Sequence, residues 1–233
     1  MPEDAGTAAI EAIRAGDLVT LKRILRARPD LAHARPDGQR TLLHVATDWP
    51  GHFPNNVSSV AALITAGADP NAAFVGKHAE TPLHWAASTD DVEVLDALLD
   101  RGANIEAPGS VIDGGPAMSD AVAFGQWKAA RRLLERGAQT NLWQAAGLGL
   151  LPRVEERFAS APVPSAAEIT NAFWCACHGG QQATAAYLLA RGADLNWAGH
   201  NSLTPLDAAR RSGAEAMIAW LRSRGARSAK DAG

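Results

Sequence analysis

The side chains best suited to acid–base or nucleophilic chemistry are two histidines in related tetrapeptides and one cysteine–histidine pair. His44 ends the run Thr-Leu-Leu-His and His84 ends Thr-Pro-Leu-His, and an imidazole is a common general base near neutral pH. Cys175 and His178 are three residues apart, so on a helix they share a face and can form a thiolate–imidazole pair. Cys175 and Cys177 point in nearly opposite directions on a helix and cannot share a zinc ion. We therefore expect no metal site.

A second group of candidate residues is acidic and aromatic. Asp48 and Asp120 are the carboxylates of interest, because an aromatic wall beside a carboxyl raises its pKa towards the range of a general acid. A single carboxylate with His52 as its partner is the alternative to a carboxylate pair. The sequence contains none of the motifs that bind nucleotides or that mark serine hydrolases and zinc peptidases. We expect no cofactor.

Composition and charge exclude several classes of protein. Alanine fills 49 of the 233 positions, which favours closely packed helices over sheets. Residues 41–120 carry eleven acidic side chains against two basic ones, which argues against a continuous basic track and a nucleic-acid partner. No apolar run approaches the ~20 residues of a membrane helix, and the acidic N-terminus lacks the features of a signal peptide. Only two cysteines occur, so we expect a cytoplasmic protein with no disulfide framework and no membrane partner.

A sequence repeat predicts the secondary-structure elements that position these residues. The dipeptide Gly-Ala closes leucine-bearing segments at 67–68, 102–103, 137–138, 192–193 and 225–226, with spacings of 35, 35, 55 and 33 residues. Glycine at a helix C-terminus adopts the left-handed conformation without a Cβ clash. The matching start signals are TLLHVAT at 41–47, TPLHWAA at 81–87 and TPLDAAR at 204–210. Threonine caps such a helix, and proline fits its first turn, so the pattern predicts a series of short helices.

On these two motifs the sequence resembles the ankyrin-repeat family, whose repeat has a period near 33 residues and the signature T-P-L-H-x-A. It also looks like the compact ankyrin-only proteins of bacteria. The resemblance implies an all-α solenoid of about seven helix-pair units with short β-hairpin fingers, in which inner helices and fingers line a concave groove. It also implies that His44 and His84 are structural residues that hydrogen-bond neighbouring backbone and tie one repeat to the next.

We expect a single domain over residues 1–233, because no linker or low-complexity stretch divides the chain. The predicted segments are an N-terminal cap at about 5–35, repeats at about 36–70, 71–105, 106–139, 140–162, 163–196 and 197–227, and a short disordered C-terminal tail.

Three departures from the repeat distinguish this chain from a regular array of repeats. The first full repeat carries five extra residues, 50–54, in the turn between its two helices. The third finger is long, running from 106 to 115. The fourth unit passes directly from GAQTN into LWQAAGLG, so its finger is missing and a notch is expected in one wall of the groove. Irregular loops of a solenoid often serve binding.

Counting along the repeat predicts which side chains face the groove. Trp49, Trp85 and Phe124 are expected to form an aromatic patch with Asp48 and Asp120 on it. Tryptophan is over-represented among the residues that dominate protein interfaces. The full predicted binding set is Asp48, Trp49, His52, Trp85, Thr89, Asp120, Phe124, Gln144, Cys175 and His178.

The sequence leaves two functions open. The first is a non-enzymatic binding module that holds a protein partner in its groove and fingers, and the acidic centre predicts a partner with a basic or mixed patch. The second is a small-molecule-binding or enzymatic site near Asp48, Trp85 and Asp120. The two carboxylates belong to repeats two apart, roughly 16–20 Å, which is too far for the paired carboxylates of a glycosidase. We favour the binding module, because no complete catalytic set is present.

Overall fold

The computed structural model describes residues 5–232, and those residues form fourteen α-helices and three short 3₁₀ turns but no β-strand. The helices are α1 (Ala5–Ala15), α2 (Leu18–Ala27), α3 (Leu42–Thr47), α4 (Asn56–Thr65), α5 (Pro82–Ser88), α6 (Val92–Leu99), α7 (Ala117–Phe124), α8 (Trp127–Glu135), α9 (Leu142–Gly147), α10 (Leu151–Ala159), α11 (Ala166–His178), α12 (Gln182–Leu189), α13 (Pro205–Arg211) and α14 (Glu215–Ser223). The 3₁₀ turns are Pro29–Ala32, His200–Ser202 and Ala229–Ala232.

The helices divide into two compact units, Met1–Ala138 and Gln139–Gly233. In the first unit, α1, α3, α5 and α7 are the inner helices, each packed on the next, and α2, α4, α6 and α8 are their outer partners. In the second unit the inner helices are α9, α11 and α13, with α10, α12 and α14 outside. The seven helix pairs and the all-α class match the prediction. Whether residues 1–233 form one domain stays a prediction, and residues 1–4 and 233 lie outside the described residues.

Capping residues explain where these helices begin and end. Thr41, Ser165 and Thr204 each cap a helix N-terminus with a side-chain oxygen that accepts a backbone N–H three residues on. All five glycines of the Gly-Ala dipeptides lie in the left-handed region, with φ between 83° and 105°. The N–H that follows reaches back to close the helix, as when Ala68 donates to the carbonyl of Leu63 at 3.0 Å.

Two buried histidines tie successive repeats of the first unit together. The Nδ1 of His44 accepts the N–H of Thr41, so Nε2 carries the proton and donates to the carbonyl of Glu80 at 3.1 Å. His84 repeats this arrangement one repeat later, with the carbonyl of Gly115 at 3.2 Å. The predicted structural role of these histidines is confirmed. Burial lowers the pKa of both imidazoles, that of His44 to about 4.

The fingers differ from the predicted β-hairpins. They are loops closed by a few backbone hydrogen bonds, such as the N–H of Phe74 to the carbonyl of Glu80 at 2.7 Å. In the long third finger, Ser110 donates to the carbonyl of Gly115 at 3.0 Å. Pro108 and Pro116 lack an N–H, and the left-handed Gly109 and Gly114 between them bend the chain, so the finger does not extend into regular strands.

The end of the chain is more ordered than expected. Residues after 227 were predicted to form a disordered tail, yet Ser228 is buried and donates its hydroxyl to Asp207 at 2.7 Å. The N–H of Ala229 donates to the other oxygen of the same carboxylate at 2.8 Å. Because one capping carboxylate of α13 receives both groups, the prediction is wrong as far as residue 229.

His44→Gln should remove a pH dependence of stability. The variant copies Gln144, which forms the equivalent capping box with Asn141, and it loses the bond to the carbonyl of Glu80. Unfolded histidine binds a proton near its ordinary pKa, whereas the buried imidazole resists one, so acidification favours unfolding of the parent protein. The free energy of unfolding of the parent minus that of the variant should fall by about 2 kcal/mol between about pH 7 and pH 5 in urea titrations. A difference that is constant with pH would contradict the burial of His44.

Candidate functional site

The insertion of the first full repeat forms an ordered loop that displays a tryptophan. We call residues 48–55 the Trp49 loop. The N–H of Trp49 donates to Asp48 Oδ1 at 2.9 Å, and Gly51 donates to the carbonyl of Asp48 at 2.7 Å. The side chain of Trp49 points away from these contacts and is 81% exposed. An indole with so little burial contributes little to the stability of the fold.

The Trp49 loop is fastened to the repeat that follows it. The N–H of His52 donates to Asp91 Oδ2 at 3.0 Å, and its Nε2 donates to the carbonyl of Thr89 at 3.1 Å. Gly51 lies so close to Thr89 that a Cβ at position 51 would stand 2.8 Å from the threonine side chain. Its φ of 75° also requires glycine. Asp91 is buried and caps α6, so the loop is attached to a fixed point.

The same loop is fastened to the repeat before it. Asn55 donates its Nδ2 to the carbonyl of Gly16 at 2.9 Å. Any side chain at position 16 would collide with Pro54, since a Cβ there would lie 2.6 Å from the Cβ of Pro54. The loop therefore bridges the turns of three successive helix pairs, and its backbone has little freedom to move.

Asp48 is engaged in ion pairs. Its Oδ2 accepts from Arg40 Nη1 at 2.5 Å and lies 3.9 Å from Arg14 Nη2. Arg40 also contacts Asp37 at 2.6 Å. Asp48 therefore anchors a charged network beside Trp49, and its geometry is that of a carboxylate already neutralised by arginine.

The expected aromatic patch does not form. The ring of Trp85 packs edge-on against His44 at 5.0 Å and against Phe74 at 5.5 Å, while the described residues show no ring contact between it and Trp49 or Phe124. The second finger accounts for this arrangement. Its residue Phe74 packs over the inner helix α5 and covers the groove position that the repeat count assigned to Trp85. Trp85 is half-buried.

Asp120 is buried beneath the long third finger. Its Oδ1 accepts the hydroxyl of Ser110 at 2.6 Å, and among the described residues Oδ2 has no hydrogen-bond partner. The pKa of Asp120 is raised to about 7, chiefly by burial and to a smaller extent by the nearby charges of Glu80 and Asp113. Ser110 in turn accepts the N–H of Ile112 at 3.1 Å, so Asp120 holds the finger in place.

Phe124 and Thr89 lie on the same edge of the first unit as the Trp49 loop. Phe124 ends α7 and is 47% exposed. The turn after it is bonded to the turn after α5, where Gln126 donates to the carbonyl of Ser88 at 2.8 Å. We call this row of inner-to-outer turns, with Trp49 at one end and Phe124 at the other, the turn edge.

The three predicted residues of the second unit are all buried. Gln144 accepts the N–H of Asn141 at 2.9 Å and completes a helix cap. Burial raises the pKa of the Cys175 thiol to about 12, so the thiol is protonated at neutral pH and is a poor nucleophile. His178 bonds through Nδ1 to Ser212 at 2.8 Å. Within residues 5–232 no group of three histidine, cysteine or acidic side chains is placed to hold a metal ion.

A cleft of about 740 Å³ lies in the second unit where the fourth finger is missing. Only six residues separate the end of α8 from the start of α9, and α11 begins early and runs for 13 residues, supplying the opposite wall. The cleft is lined by the start of α9, one face of α10 and the first turns of α11. Counting along the repeat predicted the notch, but its lining side chains Arg153, Arg157 and Asn171 were missed because they lie outside the counted groove positions.

Comparison with known proteins agrees with this architecture. The family described as ankyrin repeats, in three copies, matches residues 53–144. The ankyrin repeat domain of Bcl-3, a member of the IkappaB protein family, matches 94% of this chain and all of that domain, with a TM-score of 0.57 and 26% identity. This chain is an ankyrin-repeat protein. Ankyrin repeats are generally protein–protein interaction modules.

One curated relative of this ankyrin-repeat protein is Protein PhlB of Serratia liquefaciens. The two are 31% identical over 157 residues, which is 66% of this chain and 60% of PhlB. The chain therefore spans 60% of the length of the curated relative that it matches. None of the helices in residues 5–232 combines the length and apolar character needed to span a bilayer.

Trp85→Ala should destabilise the fold, because the ring packs against His44 and Phe74 under the finger. We expect the free energy of unfolding to fall by about 2–4 kcal/mol in chemical denaturation. Trp49→Ala is the matched control, with an expected loss below ~1 kcal/mol because its indole is exposed. Equal losses for the two variants would contradict the different packing of the two tryptophans.

Asp120→Asn should make stability less sensitive to alkali. The folded carboxyl holds its proton until about pH 7, whereas an unfolded aspartate loses it near 3.8, so the parent loses stability as pH rises between these values. From about pH 5 to pH 8 this loss amounts to about 2–3 kcal/mol. Asparagine keeps the acceptor for Ser110 and has no proton to lose. The difference between the two stability curves should change by that amount, and parallel curves would show that Asp120 is ionised throughout.

Proposed function

We propose that this chain is a non-enzymatic binding module that holds a protein partner on the inner-helix face of its first unit. The observation that carries this proposal is Trp49, an indole 81% exposed on a loop that is bonded to the repeats on both sides. Phe124 supplies a second apolar contact on the turn edge. Val75 and Ile112 are exposed on the fingers, at the other end of the same inner helices.

A fixed and exposed indole is well suited to anchor an interface. A tryptophan side chain buries about 150–250 Å² in an interface, which at ~25 cal/mol per Å² is worth roughly 4 kcal/mol. Because hydrogen bonds from His52 and Asn55 already hold the Trp49 loop, little conformational entropy is lost when a partner covers it. Tryptophans in such settings dominate binding energy in many interfaces.

The charge of the first unit favours a partner with a basic or mixed patch. Its outer helices carry ion pairs that neutralise several acids, such as Arg136 with Asp96 and Asp100. On the finger side, Glu106 and Asp113 of the long third finger are exposed acidic residues. Complementary basic groups on a partner would meet these two acids at the third finger, where they would speed association and orient the partner.

The alternative function is a small-molecule-binding or enzymatic site near Asp48, Trp85 and Asp120. One observation favours it, because the pKa of Asp120 near 7 is suited to a general acid. Three contacts weigh against it: Asp48 is paired with Arg40, Trp85 is covered by Phe74, and Asp120 is fully buried. The binding module requires none of these side chains to react.

The test compares two equally exposed apolar residues. Val19 on α2 is also 81% exposed, so Val19→Ala is matched to Trp49→Ala in exposure but lies away from the turn edge. Each immobilised variant is incubated with native lysate, and retained proteins are quantified and then purified to measure their affinity. Trp49→Ala should weaken binding of a retained protein by about thirtyfold or more, whereas Val19→Ala should leave it unchanged.

Salt dependence supplies the second readout. Binding of the purified partner should weaken as ionic strength rises, because exposed charges are screened over about 10 Å at 0.1 M salt. A partner whose affinity is the same for all three proteins would overturn the proposed surface. Loss of binding in both variants would also overturn it, since exposure alone would then explain the effect.

A further inference from the structure

We propose that the cleft of the second unit binds a short extended peptide segment that carries a carboxylate side chain. The cleft, about 740 Å³, occupies the place of the missing fourth finger and falls within the ~300–1,000 Å³ of typical ligand sites. Its residues belong to α9, α10 and α11, none of which contributes to the Trp49 loop. This site goes beyond the proposed function, and either one can fail without the other.

Two guanidinium groups line one wall of the cleft. Arg153 and Arg157 are four residues apart on α10, so they lie on the same face one turn apart. Each is positioned by one hydrogen bond, Arg153 to the hydroxyl of Thr140 at 3.0 Å and Arg157 to the carbonyl of Pro162 at 2.6 Å. A guanidinium has five N–H donors, so most N–H groups of each arginine remain available to a carboxylate.

The acidic side chains of the cleft do not cancel this preference. Glu168 is held by its own helix, because Oε2 accepts both the N–H of Ser165 at 2.8 Å and its hydroxyl at 2.7 Å. Those bonds, and to a smaller extent the charge of Arg157, lower the pKa of Glu168, and the bonds fix its carboxylate at the start of α11. Glu156 also lines the cleft and, like Arg153, is exposed on α10, and within residues 5–232 it forms no ion pair with Arg153 or Arg157. Both guanidinium forks therefore keep donors that no carboxylate of the described residues occupies.

Amide side chains indicate that the ligand is a peptide rather than a bare anion. Asn141 uses its Oδ1 to cap α9, and Asn171 uses its Oδ1 to accept from His200 at 2.9 Å. Within the described part of the chain, the Nδ2 groups of both residues have no acceptor, and both side chains line the cleft. Such donors match the carbonyl groups of an extended backbone, and the half-buried Trp143 offers an apolar surface between them.

The test is an NMR titration of the full-length ¹⁵N-labelled protein with three capped tripeptides: acetyl-Gly-Glu-Gly-amide, acetyl-Gly-Gln-Gly-amide and acetyl-Gly-Lys-Gly-amide. The reporter is the indole N–H of Trp143, which is assigned by its absence from the Trp143→Phe spectrum. The glutamate peptide should produce a saturable shift, with an affinity about fivefold or more above that of the glutamine peptide. The lysine peptide should not saturate, because it meets two guanidiniums.

The Arg153→Gln/Arg157→Gln variant should abolish the preference for glutamate over glutamine. Arg211→Gln/Arg222→Gln is the matched control, because it removes the same charge from exposed positions of the second unit outside the cleft. If the double variant at α10 does not fold, Arg153→Gln alone serves, since its one hydrogen bond is to a side chain. Sodium acetate at matched ionic strength tests the peptide requirement.

Four results would overturn this assignment. Equal affinity for the glutamate and glutamine peptides would show that the guanidiniums do not read a carboxylate. A glutamate preference that survives in the α10 variant would show that Arg153 and Arg157 do not create it. A preference that disappears in the Arg211/Arg222 control would show only a net-charge effect. Acetate that saturates the Trp143 shift at the same concentration as the peptide would show a simple anion site.

Discussion

Within each unit, a helix pair buries its apolar side against the neighbouring pairs, and the backbone between those pairs must be satisfied across the same boundary. Single helices of six to nine residues are too short to persist alone, so their stability comes from this stacking. His44 and His84 serve both needs at once, because each closes the N-terminus of its own helix and donates to a carbonyl of the next repeat. The finger that carries that carbonyl is thereby placed over the inner helices.

The irregular segments show how the length of a repeat can vary while its helices remain stacked. The chain can lengthen or shorten wherever the added residues find partners outside the helix stack. The Trp49 loop does so with hydrogen bonds to Gly16, Thr89 and Asp91, and it leaves its indole exposed. In the fourth unit the chain shortens instead, and the space of a finger becomes a cleft. Both departures place side chains that can bind a ligand on the surface, and both leave the stacked helices undisturbed.

Two buried titratable groups, His44 and Asp120, make the stability of the first unit depend on pH in opposite directions. Burial keeps His44 neutral and makes acid destabilising, while burial of Asp120 keeps a proton on a carboxyl and makes alkali destabilising. Both groups lie beneath fingers, where solvent is excluded but a polar partner is close. The fingers are therefore the part of the first unit whose packing depends most directly on pH.

The sequence by itself determined the features that depend on residues within about four positions of one another. Helix caps, left-handed glycines and the helix pairs were predicted, because capping chemistry is local. The linking role of His44 and His84 followed from the resemblance to ankyrin repeats, since their partners lie in the next repeat. Only the tertiary structure decided which tryptophan is exposed and which acid is buried. Phe74 covers Trp85, Ser110 reaches Asp120, and Thr89 and Asp91 hold the loop that displays Trp49. Most of these partners lie ten to forty residues away in irregular loops, whose paths depend on packing that a repeat count does not contain.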